Sequence, residues 1–218
     1  MPVKAVLFDH DGTLVDSEII HYGLWRDVLR GHGVDLTVDL YRRHYAGVPS
    51  DGNARDMVRR FALAVAPDAL FAEKDDATRA YLQSRAFPLM PDVPEVLQAC
   101  RRRRCDLAVV TGANAHGVAA SLRDHACFSH FATMVTRDDV AYSKPEPDVY
   151  LLALERLELL PDECVAVEDT EAGVRAALAA GLRCVAVPTD LSREHDFSGA
   201  SARCGGLAEA WAWIDAQV

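Results

Sequence analysis

A short apolar run, Val3 to Phe8 broken only by Lys4, opens the chain, and similar runs return at Cys105 to Val110, Ala132 to Thr136, Cys164 to Val167 and Cys184 to Val187. Runs of this length without polar alternation read as strands buried on both faces, the pattern of a parallel sheet. Between the later runs, apolar positions recur at helical spacing near 94 to 103, 115 to 126, 147 to 159 and 171 to 180, the last closed by Gly181. Strand and helix in alternation predict a doubly wound, Rossmann-like α/β sheet.

Residues 17 to 87 interrupt that alternation and show no strand pattern. Ser17 suits an N-cap, Glu18 complements the positive helix end, and Ile20, Leu24 and Val28 follow at helical spacing until Gly31 and Gly33. Val58, Phe61, Ala62 and Val65 make a second apolar stripe before Pro67, and a third helix is expected from near Asp68 through Tyr81 to Phe87. Pro88, Pro91 and Pro94 mark the return. The expected organisation is a core of residues 1–16 and 88–218 with an all-helical insertion, 17–87, placed as a cap over the carboxyl ends of the strands. Caps there exclude water and select substrates. Leu207 to Ile214, with Trp211 and Trp213, reads as a closing amphipathic helix.

The charge balance narrows the partners. A net charge of −10, with half the residues hydrophobic and 26% charged, fits a soluble globular chain and argues against a basic nucleic-acid surface. It does not exclude a small anionic substrate gripped by a local cluster of donors. No apolar run is long enough to span a bilayer, and Met1 to Lys4 leads into a strand rather than a signal peptide, so no membrane partner and a cytoplasmic location are expected. The six cysteines are scattered without a CxxC pair and read as reduced core residues, Cys127 among them. Arg101 to Arg104 close a helix, where cations complement the dipole. The length is compatible with a monomer or weak oligomer.

Candidate chemistry starts just past the first run, at Asp9-His10-Asp11-Gly12-Thr13. Its acids fall at the carboxyl end of a strand, where open α/β sheets place their ligands. Carboxylates this close repel unless a cation or a shared proton relieves them, and Mg²⁺ takes such oxygen ligands together with a substrate phosphate. A plain Asx-type turn explains the acids equally well in isolation. Thr111, Gly112 and Asn114 follow the second run and offer a hydroxyl and backbone N–H groups to a phosphate. Lys144 stands in Ser143-Lys144-Pro145-Glu146-Pro147-Asp148, and Glu168-Asp169 follow the run that starts at Cys164. Singly, these are an N-cap, a surface cation and a helix-start acid pair; together, on successive elements of one sheet, they form a converging site.

The set Asp9-His10-Asp11-Gly12-Thr13, Thr111, Lys144-Pro145 and Glu168-Asp169 resembles the four motifs of the haloacid dehalogenase (HAD) superfamily. The helical insertion resembles its helical-cap subclass, the β-phosphoglucomutase-like phosphatase group, and the likeness runs over residues 3–188. The resemblance implies a Rossmann-like core with a four-helix cap and a Mg²⁺ cofactor. It implies Asp9 as the nucleophile of an aspartyl-phosphate, and Asp11 as general acid and base with a raised pKa. It places the metal on the Asp9 carboxylate, the Asp11 backbone carbonyl and Asp169, with Glu168 as an additional or supporting ligand. Thr111, Gly112 and Lys144 then bind phosphoryl oxygens.

A halide leaves without a proton and an alcohol does not, so Asp11 points to phosphate-ester cleavage. His21, Gly47, Val48, Ser50 and Asn114 are the candidate substrate contacts, with His21 alternatively a half-buried ring beside Trp25. Ser50 stands where the mutase pattern has arginine, and the mutase's cap lysine falls near Ala77, with Lys74 one turn away. A mutase must hold a doubly phosphorylated intermediate at both ends. The expected function is therefore a Mg²⁺-dependent phosphatase of a small phosphorylated metabolite, a sugar or polyol phosphate. A β-phosphoglucomutase-like mutase is the alternative, for which Arg42, Arg43, His44 and Arg55 are candidate cap cations. A non-catalytic phospho-receiver module is the third reading. His10 receives no role.

Overall fold

The structure, a computed structural model, describes residues 2–123 and 125–218, with residues 127 and 128 described by their backbone alone. The side chain of Cys127 thus lies outside the described residues; the other cysteines are free and buried, as expected.

Among the described residues, six strands form one sheet in the order β3-β2-β1-β4-β5-β6, every pair parallel. They are β1 (Ala5–Phe8), β2 (Asp106–Val110), β3 (Thr133–Val135), β4 (Cys164–Glu168), β5 (Arg183–Ala186) and β6 (Ala202–Arg203). Every residue of β1 and β4 is buried, as strands covered by helices on both faces require. One apolar cluster, with Val6, Phe8 and Val167, fills one face against α5 (Val93–Arg102) and α9 (Leu207–Asp215). A second, with Leu7, Val110 and Tyr150, fills the other against α7 (Asp148–Leu157) and α8 (Glu171–Ala179). Trp211 and Trp213 of α9 pack half-buried against the first cluster.

Register fixes what meets at the sheet's carboxyl edge. Phe8 pairs with Val109 on one side and Val167 on the other. The next residues, Asp9, Val110 and Glu168, are therefore level, and Thr111 and Asp169 lie one step beyond.

Four helices follow β1: α1 (Glu18–Gly31), α2 (Val38–His44), α3 (Ser50–Arg60) and α4 (Pro67–Ser84). They bury their own cluster, including Trp25, Leu29, Tyr41, Tyr45, Met57 and Leu70, joined by Leu191 from the loop after β5. Each such side chain contributes about 1.5–3 kcal/mol by leaving water. The chain therefore has a Rossmann-like core with an inserted helical cap.

The sequence pattern misplaces several boundaries. The 58–65 stripe is the end of α3 and a turn, because Ala62 takes φ 49° and breaks the helix. Helix α2 escapes the reading because Val-Asp-Leu-Tyr-Arg-Arg-His is mostly polar and short. Ser17 occupies the N-cap position of α1, but its side chain makes no capping bond and donates instead to Asp11 Oδ1. The helix expected over 115–126 stops at Leu122, and a short 3-10 turn covers Ala126–His130. Two-residue β6 is too short to leave a pattern. No helix among the described residues is long and apolar enough to cross a membrane.

Candidate active site

Asp9 hangs from β1, its N–H donating to Val167 O at 3.0 Å, and is buried. The chain then turns sharply: Leu14 and Val15 N–H donate to His10 O, and Gly12 N–H donates to Val15 O. Gly12 adopts φ +80°, and a Cβ there would lie 2.3 Å from Asp169 Oδ2. Only glycine both tolerates that backbone and lets the turn touch the acid.

Lys144 reaches the centre of the group. Its Nζ donates to Asp9 Oδ1 at 2.5 Å, Glu168 Oε1 at 2.6 Å and Val110 O at 2.7 Å. Burial opposes its charge, but Asp9 and Glu168 hold the ammonium above its ordinary pKa. Tyr150 of α7 donates to the same Glu168 Oε1 at 2.6 Å. Gly173 of α8 makes room for Glu168: a Cβ at 173 would fall 1.9 Å from Oε2.

Asp9, Glu168 and Asp169 bring carboxylate oxygens within 4.8 Å of one another. Burial pushes Asp9 up, pushes Glu168 to about 7, and lifts Asp169 well above the carboxylate range, where Asp9 and Glu168 add repulsion. Both Asp169 oxygens and Glu168 Oε2 are buried without a partner. Such unsatisfied acceptors are costly. One ammonium does not balance three carboxylates, and a hard divalent cation with oxygen preference suits the excess charge and the free acceptors. The donor set fits Mg²⁺.

Asp11 is held apart from that cluster. Its Oδ1 accepts from Ser17 Oγ and lies 3.7 Å from His21 Nε2, while Oδ2 faces His10 Nδ1 at 3.2 Å. Burial alone would raise its pKa, but His10 and His21 hold the carboxyl well below the usual range. The expectation of a raised Asp11 pKa is thus not met.

Thr111 is buried at the end of β2, its N–H bonded to Val135 O and its Oγ1 accepting from Ala113 N–H at 3.0 Å. Asn114 caps α6 (Ala115–Leu122), its Oδ1 accepting from Gly117 N–H at 2.7 Å.

A cavity of about 190 Å³ brings these groups together. Asp9, Asp11, Thr111, Gly112, Asn114, Lys144 and Asp169 line it from the core, and His21, Gly47, Val48 and Ser50 line it from the cap. Glu168 sits beneath the floor, fully buried. His21 packs edge-on to Phe87 with centroids 5.3 Å apart. Arg42, Arg43, His44 and Arg55 do not line this cavity; Arg55 pairs with Asp51.

Several lining residues escape sequence reasoning. Lys74, not position 77, supplies the cap cation: it is buried, bonded to His21 Nδ1 at 3.0 Å, and burial lowers its pKa to about 8. Glu18 also lines the cavity, accepts from Tyr41 at 3.1 Å, and is pushed to about 7 by burial. Arg137, just past β3, is the arginine of the wall among the described residues. The sequence signal for Lys74 is its place one turn from Ala77 on α4; Tyr150 and Arg137 leave none.

A parallel α/β core with an acid nest at the strand ends, covered by a four-helix cap, defines a hydrolase of the Rossmann-like, capped class. The family model for haloacid dehalogenase-like hydrolases matches residues 3–181, and the chain belongs to that family. Among its relatives is protein CbbY of Cereibacter sphaeroides, 33% identical over 94% of this chain and 96% of that one. Another is the fructose-1-phosphate phosphatase YqaB of Escherichia coli, 33% identical over 84% of this chain and 95% of that one. The crystal structure of a CbbY variant from Rhodobacter sphaeroides in complex with xylulose-(1,5)bisphosphate superposes with a TM-score of 0.83 at 29% identity, covering 95% of this chain and 96% of that one.

Proposed function

We propose that the chain is a Mg²⁺-dependent phosphatase of small phosphorylated sugars or polyols, working through an aspartyl-phosphate on Asp9. The observation that carries this is the buried Asp9 carboxylate, tied to Lys144 at 2.5 Å and facing Thr111 across one small cavity beside the unpartnered oxygens of Asp169. The relatives support the substrate class, since YqaB is a fructose-1-phosphate phosphatase and CbbY was crystallised with a sugar bisphosphate.

The Asp9 and Asp169 carboxylates and the Asp11 carbonyl would hold the Mg²⁺, with Glu168 supporting them from below. Bound there, the ion supplies charge neutralisation to the phosphoryl oxygens. Lys144 Nζ and the Thr111 hydroxyl, with the Gly112 N–H, hold the phosphoryl group in line with Asp9 Oδ2. The Asp9 carboxylate bonds to phosphorus as the ester bond breaks, and the departing oxygen takes a proton from Asp11. Asp11 then accepts a proton from water, whose oxygen bonds to phosphorus and releases inorganic phosphate from Asp9. A bound phosphate dianion is a like charge beside Asp11 and raises its pKa from the low resting position, which is how it gains the proton it donates. His21, Lys74 and the Gly47 to Ser50 loop contact the alcohol portion from the cap.

A mutase is favoured by one observation, the buried Lys74 ammonium inside the cavity, which supplies a cation for a second phosphate. The test is a screen of phosphorylated sugars and polyols, with glucose 1-phosphate isomerisation included, in Mg²⁺ and in chelator. Release of inorganic phosphate that stops with chelator and returns with Mg²⁺ is expected. Isomerisation without release would establish the mutase, and a stable phospho-Asp9 without turnover would establish a receiver.

A further inference from the structure

A second cleft, of about 230 Å³, opens beside the main cavity at the seam between cap and core. Its cap wall carries Arg42, Arg43 and His44, the last turn of α2. Its core wall carries Arg175 of α8 and His195 of the loop after β5. Glu171 is the carboxylate among its described lining residues, and its Oε2 is engaged by Asp196 N–H at 3.3 Å.

The dipole of α2 accounts for basic residues on its last turn. It does not account for Arg175 and His195 facing them across the seam. Arg42 contacts Asp39 at 3.3 Å through Nη1, while its Nε is buried with no partner. Among the described residues, Arg43 and Arg175 form no ion pair, in a chain whose net charge is −10. His195 Nδ1 accepts from Glu171 N–H at 3.4 Å, which directs the opposite ring nitrogen elsewhere as a donor. Like charges gathered around a cleft, with an unsatisfied N–H among them, describe a site short of an anion. Guanidinium forks match the oxygens of phosphate in pairs.

We propose that this seam binds a phosphate-type dianion, held by Arg42 and Arg43 from the cap and by Arg175 and His195 from the core. Its occupant ties the two parts of the molecule together. The walls already touch: Gly47 has φ +70°, and a Cβ there would lie 2.7 Å from Thr170 Cγ2. Gly47, Val48, Thr170 and Ala172 line both cavities, so the seam opens next to the reacting centre. The dianion has two sources of the same chemistry. One is a free oxyanion; the other is the far phosphate of a bisphosphorylated sugar whose near phosphate lies at Asp9, and that source alone rests on the proposed function.

The test titrates sulfate calorimetrically into the full chain with Mg²⁺, comparing wild type with Arg42→Gln/Arg175→Gln. Loss of charge-assisted hydrogen bonds weakens seam binding by about tenfold or more. Competitive inhibition of p-nitrophenyl phosphate hydrolysis by sulfate, which reads the main cavity, persists. Values of KM for fructose 1,6-bisphosphate and fructose 1-phosphate separate the sources. A rise for the bisphosphate alone assigns the far phosphate, and no change in either, with sulfate binding lost, assigns a free oxyanion. Equal sulfate affinity and stoichiometry in both proteins, with unchanged KM values, overturns the site. Arg43→Gln, at an exposed position, carries the same comparison should the double variant fail to fold. Sulfate binding requires no turnover, so an inactive chain that still loses sulfate in the variant refutes the phosphatase and leaves the seam site standing.

Discussion

His10 Nε2 lies 2.7 Å from Ser121 Oγ, joining the turn that carries both acids to α6. Ser121 gives its own hydrogen to Val118 O at 2.8 Å, so it accepts from the imidazole. The other ring nitrogen faces Asp11 at 3.2 Å. The imidazole therefore ties the turn to α6, with Nδ1 beside the Asp11 carboxylate but without a hydrogen bond to it. His10→Leu should lower the unfolding free energy by about 1–2 kcal/mol, the worth of a buried hydrogen bond. Urea denaturation of His10→Leu, Ser121→Ala and the double variant checks it: the two costs should not add, because the side chains act as a pair. Simple additivity would show that they do not.

Tyr150→Phe removes one of the donors to Glu168 Oε1 and leaves Lys144 in place. Supporting partners of metal ligands typically tune affinity by about 10–100-fold. The Mg²⁺ concentration for half-maximal activity should rise accordingly, with little change in kcat at saturating Mg²⁺. A kcat loss at an unchanged Mg²⁺ requirement would place Tyr150 outside this role.

Gly173→Ala drives a methyl group into Glu168, which Lys144 and Tyr150 hold from the other side. Overpacking of this kind costs about 1–3 kcal/mol. Thermal unfolding of the variant should show the loss, together with reduced activity. Gly23→Ala, at a helical position with open space around it, is the matched control and should be neutral or slightly stabilising.

Glu18 is raised by burial from 4.5 to about 7. The folded chain thus holds a proton there that the unfolded chain releases. Stability from the neutral form is present below about pH 4.5 and is lost as pH rises through 7. Glu18→Gln should match wild type at low pH and unfold at a higher temperature than wild type at pH 8. Parallel melting temperatures across that range would mean that Glu18 titrates normally.

Legibility in the sequence followed physical strength. Long apolar runs marked β1, β2, β4 and β5, because burial on both faces leaves no room for polar residues. Motif order marked Asp9, Thr111, Lys144 and Asp169, which parallel register brings to one cavity. Short polar α2 and two-residue β6 left no periodicity to read. Lys74 was legible only as a neighbour of position 77, since a one-turn choice on α4 depends on how the helix rolls against α1. Tyr150, Ser121 and the Arg42–Arg175 seam are tertiary pairings between distant segments, and local pattern does not encode them.

The proposed phosphatase carries a covalent phosphate on Asp9 during turnover. Acid quench during turnover, borohydride reduction of the acyl phosphate and peptide mass spectrometry locate it directly. The reduced residue should appear at position 9 in wild type and vanish in Asp9→Asn along with turnover, by about 10³-fold or more. Modification at another residue, or full turnover by Asp9→Asn, would contradict the account.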